Sequence, residues 1–203
     1  MGRRRVVVGV SGASGAAHVL RLLDLLLESD TEVHIVASDY GRRLLLEESG
    51  VRRLTVEELA PRHAAAQDRL IVHPHRDVGA VIASGSFLHD GMVVLPCSSA
   101  SLGAIASGSG SNLLTRAAMV TLKERRRLIL AHRETPLSLI DIENMRTVTL
   151  AGGIVCPLNP GYYLGPTRVE DLVDFMVGKI LDLLGVEHAL ATRWTGQDAR
   201  GRL

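Results

Sequence analysis

The sequence has few aromatic residues, two cysteines and almost no net charge. The low cysteine count and the low net charge each exclude a class of protein. Cys97 and Cys156 cannot build a disulfide framework, which favours a reducing cytoplasmic environment. The formal charge is +1, and the basic residues are dispersed apart from short runs at 3–5 and 125–127. Because nucleic-acid binding requires a concentrated basic surface, we expect no nucleic-acid partner.

Long apolar runs and metal-ligand clusters are also missing. No segment approaches the ~20 consecutive apolar residues of a membrane-spanning helix, and the run after Arg5 is too short for a signal-peptide core. His73 and His75 form an HxH pair, but no matching carboxylate or cysteine set accompanies them. We therefore expect neither membrane association nor a bound metal.

What the chain does contain is a regular alternation of apolar strands and amphipathic helices. This pattern predicts one α/β domain over residues 1–186, a three-layer α/β/α fold with a mainly parallel, flavodoxin- or Rossmann-like sheet, followed by a tail at 187–203. The predicted strands are at about 5–10, 32–37, 79–84, 91–95, 127–132 and 153–156. The predicted helices are at about 15–29, 39–48, 56–66, 99–107, 112–124, 138–149 and 168–184.

The first predicted strand runs directly into a loop of glycines and hydroxyls, Ser11-Gly12-Ala13-Ser14-Gly15, and then into a helix. Glycines let the backbone approach an anion closely, and the following helix N-terminus offers unpaired N–H groups and a positive dipole end. The segment therefore predicts a bound phosphate. Similar loops also occur in α/β proteins that bind nothing there.

Later strands end in residues of the same character. Ser38 follows the second strand, Ser84-Gly85-Ser86 follows the predicted strand at 79–84, and the strand at 91–95 leads into Pro96-Cys97-Ser98-Ser99-Ala100-Ser101. Ligands of such sheets bind beyond the carboxyl ends of the strands, so these hydroxyls and amides predict a site for a mononucleotide-like ligand. The structural alternative is that Ser98 or Ser99 caps a helix.

Charged residues are further candidates, and Arg133-Glu134 is predicted at the same edge as the hydroxyl-rich loops. Arg116 and Lys123 are seven residues apart on one predicted helix, so they share a face about two turns apart. Arg133 and Glu134 follow the strand at 127–132. An acid beside an arginine stays ionised and can accept a proton from a reacting group. The alternatives are solvated surface cations and a structural Arg–Glu pair.

The remaining candidates lie near the C-terminus. Tyr162 and Tyr163 follow the last predicted strand, and Lys179 lies at the edge of the apolar stripe of the last helix, where it can hold an anion or extend into solvent. Trp194 is the single tryptophan and lies in the tail. It is predicted to close over a pocket or to pack on a neighbouring subunit, with simple exposure as the alternative. The tail is therefore expected at a subunit interface or over the active site.

Taken together, these motifs resemble those of the UbiX flavin prenyltransferase family. The resemblance covers about residues 5–186, with the motifs in the same order along the chain. The motifs are Gly12-Ala13-Ser14-Gly15, Ser84-Gly85-Ser86, Pro96-Cys97-Ser98, Asn112-Leu113-Leu114 with Arg116-Ala117, Lys123-Glu124-Arg125-Arg126, Arg133-Glu134-Thr135-Pro136 and Pro160-Gly161-Tyr162-Tyr163. The resemblance implies a flavodoxin-like fold, a homo-dodecamer with active sites where subunits meet, and no requirement for metal. It also implies transfer of a dimethylallyl group from dimethylallyl phosphate to N5 and C6 of reduced FMN. The product, prenylated FMN, would serve UbiD-type decarboxylases.

The same resemblance assigns roles to individual residues. It implies that FMN is held by Gly12, Ala13, Ser14, Ser38, Ser98, Ser99, Ala100, Ser101 and Arg133. Tyr163 and Lys179 would hold the donor phosphate, Trp194 would be a further substrate contact, and Arg116, Lys123 and Glu134 would surround the same centre as catalytic residues. Lys179 stands where relatives have arginine, which keeps the charge but loses the bidentate fork.

Three other functions compete with this interpretation. An NAD-dependent dehydrogenase would use Gly9, Gly12 and Gly15, but their spacing departs from GxGxxG and the reading leaves Arg133-Glu134 unexplained. An FMN-binding carrier would need the flavin loops but not the cations. A cysteine-directed flavoprotein decarboxylase on the same fold would also bind FMN, although no convincing set of its substrate motifs is present.

Overall fold

A computed structural model describes residues 2–193 of the chain. Its centre is a six-stranded, entirely parallel sheet with the strand order β3-β2-β1-β4-β5-β6. The strands are β1 (Arg5–Val10), β2 (Glu32–Ala37), β3 (Leu70–His73), β4 (Gly91–Cys97), β5 (Leu128–His132) and β6 (Ile154–Val155). The predicted α/β class with a parallel sheet is confirmed.

Within residues 2–193 the structure has seven α-helices and two 3-10 turns, all of which lie between strands except the last helix, which follows β6. The helices are α1 (Ala16–Glu28), α2 (Asp39–Ser49), α3 (Val56–Leu59), α4 (Ser99–Ala106), α5 (Leu113–Lys123), α6 (Leu139–Leu150) and α7 (Val169–Leu184). Helices α1, α2, α3 and α7 bury their apolar residues with one face of the sheet, whereas α4, α5 and α6 cover the other. This arrangement gives the three expected layers.

Period-two alternation explains why both faces are covered. In β1, Val6, Val8 and Val10 belong to one apolar cluster, whereas Val7 belongs to the other, and all four side chains are buried. A strand that is apolar on both sides is stable only between two helical layers. Among the described residues, no helix is long and apolar enough to cross a membrane.

The prediction of the third strand at 79–84 is wrong. Residues 79–84 contain only a 3-10 turn at Val81–Ala83, and the strand that pairs with β2 is Leu70–His73. The apolar run was misleading because Ile82 is buried in the cluster below α5, where it covers the sheet instead of joining it. The predicted helix at 56–66 is also interrupted, since α3 is followed by a separate 3-10 turn at Pro61–His63 and proline has no N–H to continue a helical ladder.

Candidate functional site

The crevice beyond β1 and β4 lies where the chain reverses its direction across the sheet, which is where ligands bind in doubly wound folds. Two serines connect the loops there. The Ser11 hydroxyl donates to the Pro96 carbonyl at 2.8 Å and accepts from the Ser98 amide at 2.8 Å. The Ser98 hydroxyl in turn lies 3.3 Å from that of Ser101. The crevice floor is therefore a fixed network of hydroxyls and amides.

The glycine loop forms one wall of this crevice. Gly15 has a φ of 145°, a conformation that side chains of L-residues rarely adopt, so the turn into α1 requires glycine. The amides of Gly15 and Ala16 do not face an open anion site, because both donate to Glu48 Oε2, at 3.0 and 2.9 Å. The predicted phosphate position at these two amides is therefore wrong: a carboxylate of the protein already neutralises this helix N-terminus.

Glu48 is the residue of this crevice that sequence reasoning missed. Burial opposes its ionisation, but hydrogen bonds from the Ala16 amide, the Ser14 hydroxyl and the Gly15 amide hold the pKa of Glu48 below its usual value. The positive charge of Arg133 acts in the same direction. A signal for Glu48 was present, because it lies four residues after the buried Leu44 and therefore on the same side of α2, although Glu48 itself is exposed.

Helix α2 begins directly beside the glycine loop. The Ser38 hydroxyl caps it by accepting from the Gly41 amide at 3.0 Å. Gly12 packs on the Cβ of Tyr40 so closely that a side chain at position 12 would collide with it. Gly12 and Ser14 are both exposed, whereas Ala13 is buried. The loop therefore presents backbone and one hydroxyl to the crevice.

Helix α4 forms the opposite wall. The Ser98 hydroxyl caps it by accepting from the Ser101 amide at 3.3 Å, so the capping alternative is realised by Ser98. Ser99 and Ala100 occupy the first turn, and only Ala100 is exposed. Cys97 is buried, and burial raises the pKa of its thiol to about 12. A thiol of that pKa is unreactive at neutral pH, which argues against a role for Cys97 as nucleophile.

Arg133 and Glu134 border the crevice at the end of β5. The Arg133 amide donates to the Cys97 carbonyl at 3.1 Å, which fixes the backbone beside α4. Both side chains are exposed and line a cavity of about 400 Å³. A neighbouring cavity of about 430 Å³ contains Tyr163 and Lys179 and shares the wall residues Pro157 and Asn159 with the first. These four candidates therefore lie on adjoining surfaces.

The structure does not bring every candidate together within one chain. Arg116 is exposed in the second turn of α5, and Lys123 is the last residue of that helix. Helix α5 leads into β5, so Lys123 lies at the opposite edge of the sheet, where it pairs with Glu124 and approaches Gly85. The Ser84-Gly85-Ser86 segment therefore does not lie at the carboxyl edge as predicted. Trp194 lies outside the described residues.

The donor set fits a flavin mononucleotide better than a metal. Hydroxyls, loop amides and one guanidinium surround the crevice, which suits a phosphate joined to a hydroxylated chain. In the part of the chain that the structure covers, no group of three or more histidine, cysteine or acidic residues could hold a metal ion. That the reaction needs no metal stays a prediction.

Known proteins share both the fold and the sequence. A family model described as Flavoprotein matches residues 1–181, so the doubly wound sheet and the hydroxyl-lined crevice are those of a flavoprotein. Flavin prenyltransferase UbiX of Halalkalibacterium halodurans is 43% identical over 92% of this chain and 91% of its own, and that of Thermoplasma acidophilum is 44% identical over 94% and 99%. The chain belongs to the UbiX flavin prenyltransferase family.

Solved structures agree with this assignment. AnUbiX (PadA1), crystallised in complex with FMN and dimethylallyl pyrophosphate, has a TM-score of 0.88 and 40% identity over 96% of this chain and 99% of its own. A dodecameric, FMN-dependent UbiX-like decarboxylase from Escherichia coli O157:H7 has a TM-score of 0.86 and 38% identity over 95% and 100%. The cysteine decarboxylase TvaF is only 19% identical with a TM-score of 0.53, which shows a shared fold alone.

Proposed function

We propose that the chain transfers a dimethylallyl group from dimethylallyl phosphate to reduced FMN, and that the prenylated FMN serves a UbiD-type decarboxylase. The observation that carries this proposal is the similarity, over nearly the whole chain, to a UbiX protein crystallised with FMN and a dimethylallyl donor. Cys97 and Cys156 are both free thiols, which supports a place of action in the reducing cytoplasm.

The crevice residues would hold FMN as a substrate. Hydroxyls of Ser38 and Ser98 suit its ribityl phosphate, and Arg133 supplies the positive charge, whereas Ser14, whose hydroxyl donates to Glu48, would contact FMN away from the phosphate. The remaining residues proposed to contact it are Gly12, Ala13, Ser99, Ala100 and Ser101. Reduced FMN supplies the nucleophilic N5 and C6 positions that receive the five-carbon unit.

Tyr163 and Lys179 would hold the donor. When the allylic carbon–oxygen bond breaks, the phosphate leaves with the bonding electrons and gains negative charge while the allyl group becomes cationic. Fixed donors aimed at the leaving oxygen stabilise this charge separation. The Lys179 ammonium and the Tyr163 hydroxyl line one cavity, which gives them this role.

The remaining cations would come from another copy of the chain. Lys123 lies at the far edge of its own sheet, so it reaches a flavin crevice only if a second copy supplies it. Helix α6 supports such assembly, because it buries only Asp141 and Val148 and leaves Leu139, Ile140 and Leu150 more than 70% exposed. We infer a homo-oligomer, as in the dodecameric relative, with Arg116 and Lys123 beside the donor phosphate of a neighbour.

Closure at C6 adds one proton to the allylic double bond, which places positive charge on the carbon that bonds C6, and then releases one proton from C6. Two bases are available for the released proton. The Glu134 carboxylate is exposed in the cavity beside Arg133, with one oxygen 3.1 Å from the Thr135 amide. The departing phosphate is the other base. The variant Glu134→Gln separates them. If the carboxylate takes the proton, this variant should stop at the N5 adduct, which has the same mass as the closed product and is distinguished from it by its absorption spectrum.

An anaerobic incubation tests the proposed function. Protein mixed with reduced FMN and dimethylallyl phosphate should yield flavin heavier by one dimethylallyl unit, detected by mass spectrometry of the released flavin. Lys179→Ala should retain FMN but form little product, because it removes the charge at the leaving group. Folded wild-type protein that binds FMN and yields no heavier flavin would contradict the proposal and favour the carrier.

A further inference from the structure

The segment that follows α7 folds back onto that helix and is held there by one carboxylate. The Arg193 guanidinium donates to Asp182 Oδ1 from Nη2 at 2.5 Å and from Nε at 3.2 Å. The ring of His188 contacts the same oxygen through Nε2 at 3.2 Å. Asp182 therefore joins two residues of the segment 187–193, which we call the return segment, to the last turn of α7.

The hydrogen bonds of His188 fit this role. Its side chain is 1% exposed, and its Nδ1 accepts a hydrogen bond from the Leu190 amide at 3.2 Å. A neutral imidazole that accepts at one nitrogen carries its proton on the other, so Nε2 donates to Asp182. Both ring nitrogens are thus used to hold the return segment in place.

A glycine on α7 gives the return segment its close approach. A Cβ at Gly178 would collide with the Thr192 hydroxyl and would lie only 3.2 Å from Thr192 Cβ and 3.3 Å from His188 Cε1. All three neighbours belong to the return segment. The helix surface is therefore shaped to receive this part of the chain.

Because the return segment packs on α7, Arg193 lies in the wall of the cavity that contains Lys179 and Tyr163. Asp182 engages the Nε and Nη2 edge of the guanidinium, and this pairing leaves the Nη1 group for a second acceptor. The Arg193 side chain is 58% exposed, so its free edge is accessible. Lys179 brings a single point charge to the cavity, whereas a guanidinium brings a planar fork that matches phosphate oxygens.

We propose that Arg193 is a further ligand of the donor phosphate, and that Asp182 and His188 are positioning residues that hold it against the cavity. The inference rests on the proposed function, because it takes Lys179 and Tyr163 as the other phosphate ligands. It adds a residue of the return segment to the binding machinery and explains why that segment is fastened to α7.

Steady-state kinetics with dimethylallyl phosphate and reduced FMN test the inference. Arg193→Gln should raise the KM for the donor by about ten-fold, the size expected for one charge-assisted hydrogen bond, and leave the affinity for FMN unchanged. Arg193→Lys should recover part of this loss.

The positioning residues give a second test. Asp182→Asn and Gly178→Ala should each raise the donor KM in the same way. In the double variant, Asp182→Asn should raise the donor KM little beyond the value for Arg193→Gln alone. Arg53→Gln, which removes an exposed, ion-paired arginine outside the cavity, is the matched control.

Direct binding separates this inference from the proposed function. Calorimetric titration of dimethylallyl phosphate into protein loaded with oxidised FMN requires no turnover. Weaker donor binding by Arg193→Gln, with wild-type donor affinity in Arg53→Gln, would support the inference. This holds even if the turnover experiment yields no heavier flavin, because that result overturns only the proposed function. Equal donor binding by wild type and Arg193→Gln would overturn the inference and leave prenyl transfer standing. Because Arg193 is exposed, this variant should fold even if Asp182→Asn does not.

Discussion

At the scale of single residues, Glu48 shows how the crevice differs from a simple phosphate loop. Its carboxylate accepts from the first two amides at the start of α1, where a bound anion would otherwise be expected. A negative charge at that position directs an anionic ligand away from the helix end and towards Arg133 and the hydroxyls of α4. Glu48 thus shapes the crevice as much as the glycines do.

Replacing Glu48 by glutamine should lower the free energy of unfolding by about 1 kcal/mol or less at neutral pH, since the carboxylate is partly screened by solvent. The folded-state pKa of Glu48 is lowered, so its contribution is present above the unfolded pKa of about 4.3 and is lost as the pH falls through the folded pKa. Urea unfolding from pH 7 to pH 3 measures this, with Glu47→Gln as the control. A stability difference that grows in acid would contradict the assignment.

At the scale of elements, the contact between α2 and β1 fixes one wall of the crevice. Gly41 lies against the carbonyl oxygen of Val10, and a Cβ there would collide with that backbone atom. Because the backbone of β1 itself stands in the way, the glycine is required by close approach and not by its φ. Ser38 and Gly12 lie beside this contact: the Ser38 amide donates to the same Val10 oxygen at 2.9 Å, and Gly12 packs on Tyr40 of α2.

Gly41→Ala should therefore destabilise the fold by about 3 kcal/mol, the upper range for overpacking. Gly103→Ala in α4 is the matched control, because its Cβ would meet only the end of the Asn144 side chain at 3.3 Å and a helical alanine gains up to about 1 kcal/mol. Urea unfolding of both variants measures the difference. Equal stabilities would show that the α2–β1 contact yields easily.

Elements with strong periodicity could be predicted from the sequence, and those without it could not. The predicted first strand coincides with β1, Arg5–Val10, because its valines alternate between two buried faces. The four residues of β3 are too few to show a period, and the apolar turn at Val81–Ala83 imitates a strand. Misplacing that strand also misplaced Ser84-Gly85-Ser86, which lies beside Lys123.

The candidate site shows the same division. Hydroxyls after β1, β2 and β4 were predictable, because in a parallel sheet every carboxyl end lies at one edge. Lys123 was expected around the same centre as Glu134, although topology alone places it at the amino edge, since a helix that leads into a strand ends there. Glu48 was missed because its contact is with the start of α1, 33 residues away in sequence. The place of Arg193 was missed because it depends on how the chain folds back onto α7 after that helix ends.

At the scale of the whole molecule, the exposed apolar side of α6 indicates that one chain is not the working unit. Leu139 and Ile140 are 72% and 73% exposed on a helix that buries only two of its residues.

Ile140→Glu should yield smaller particles by light scattering and lose prenyl transfer, because charge cannot be buried in an apolar interface. Val169→Glu, at an apolar residue of α7 that is 70% exposed, is the control and should keep its size. Unchanged particle size in Ile140→Glu would exclude α6 as the interface.

A site assembled from separate copies is the central claim of this account, and complementation between two inactive variants tests it most directly. Lys123→Ala and Arg133→Ala should each be inactive alone, whereas their co-assembly in equal amounts should restore about a quarter of wild-type prenyl transfer, since that share of sites receives both intact residues from different chains. Flavin mass after anaerobic turnover gives the readout. Mixed particles that remain inactive would contradict the claim.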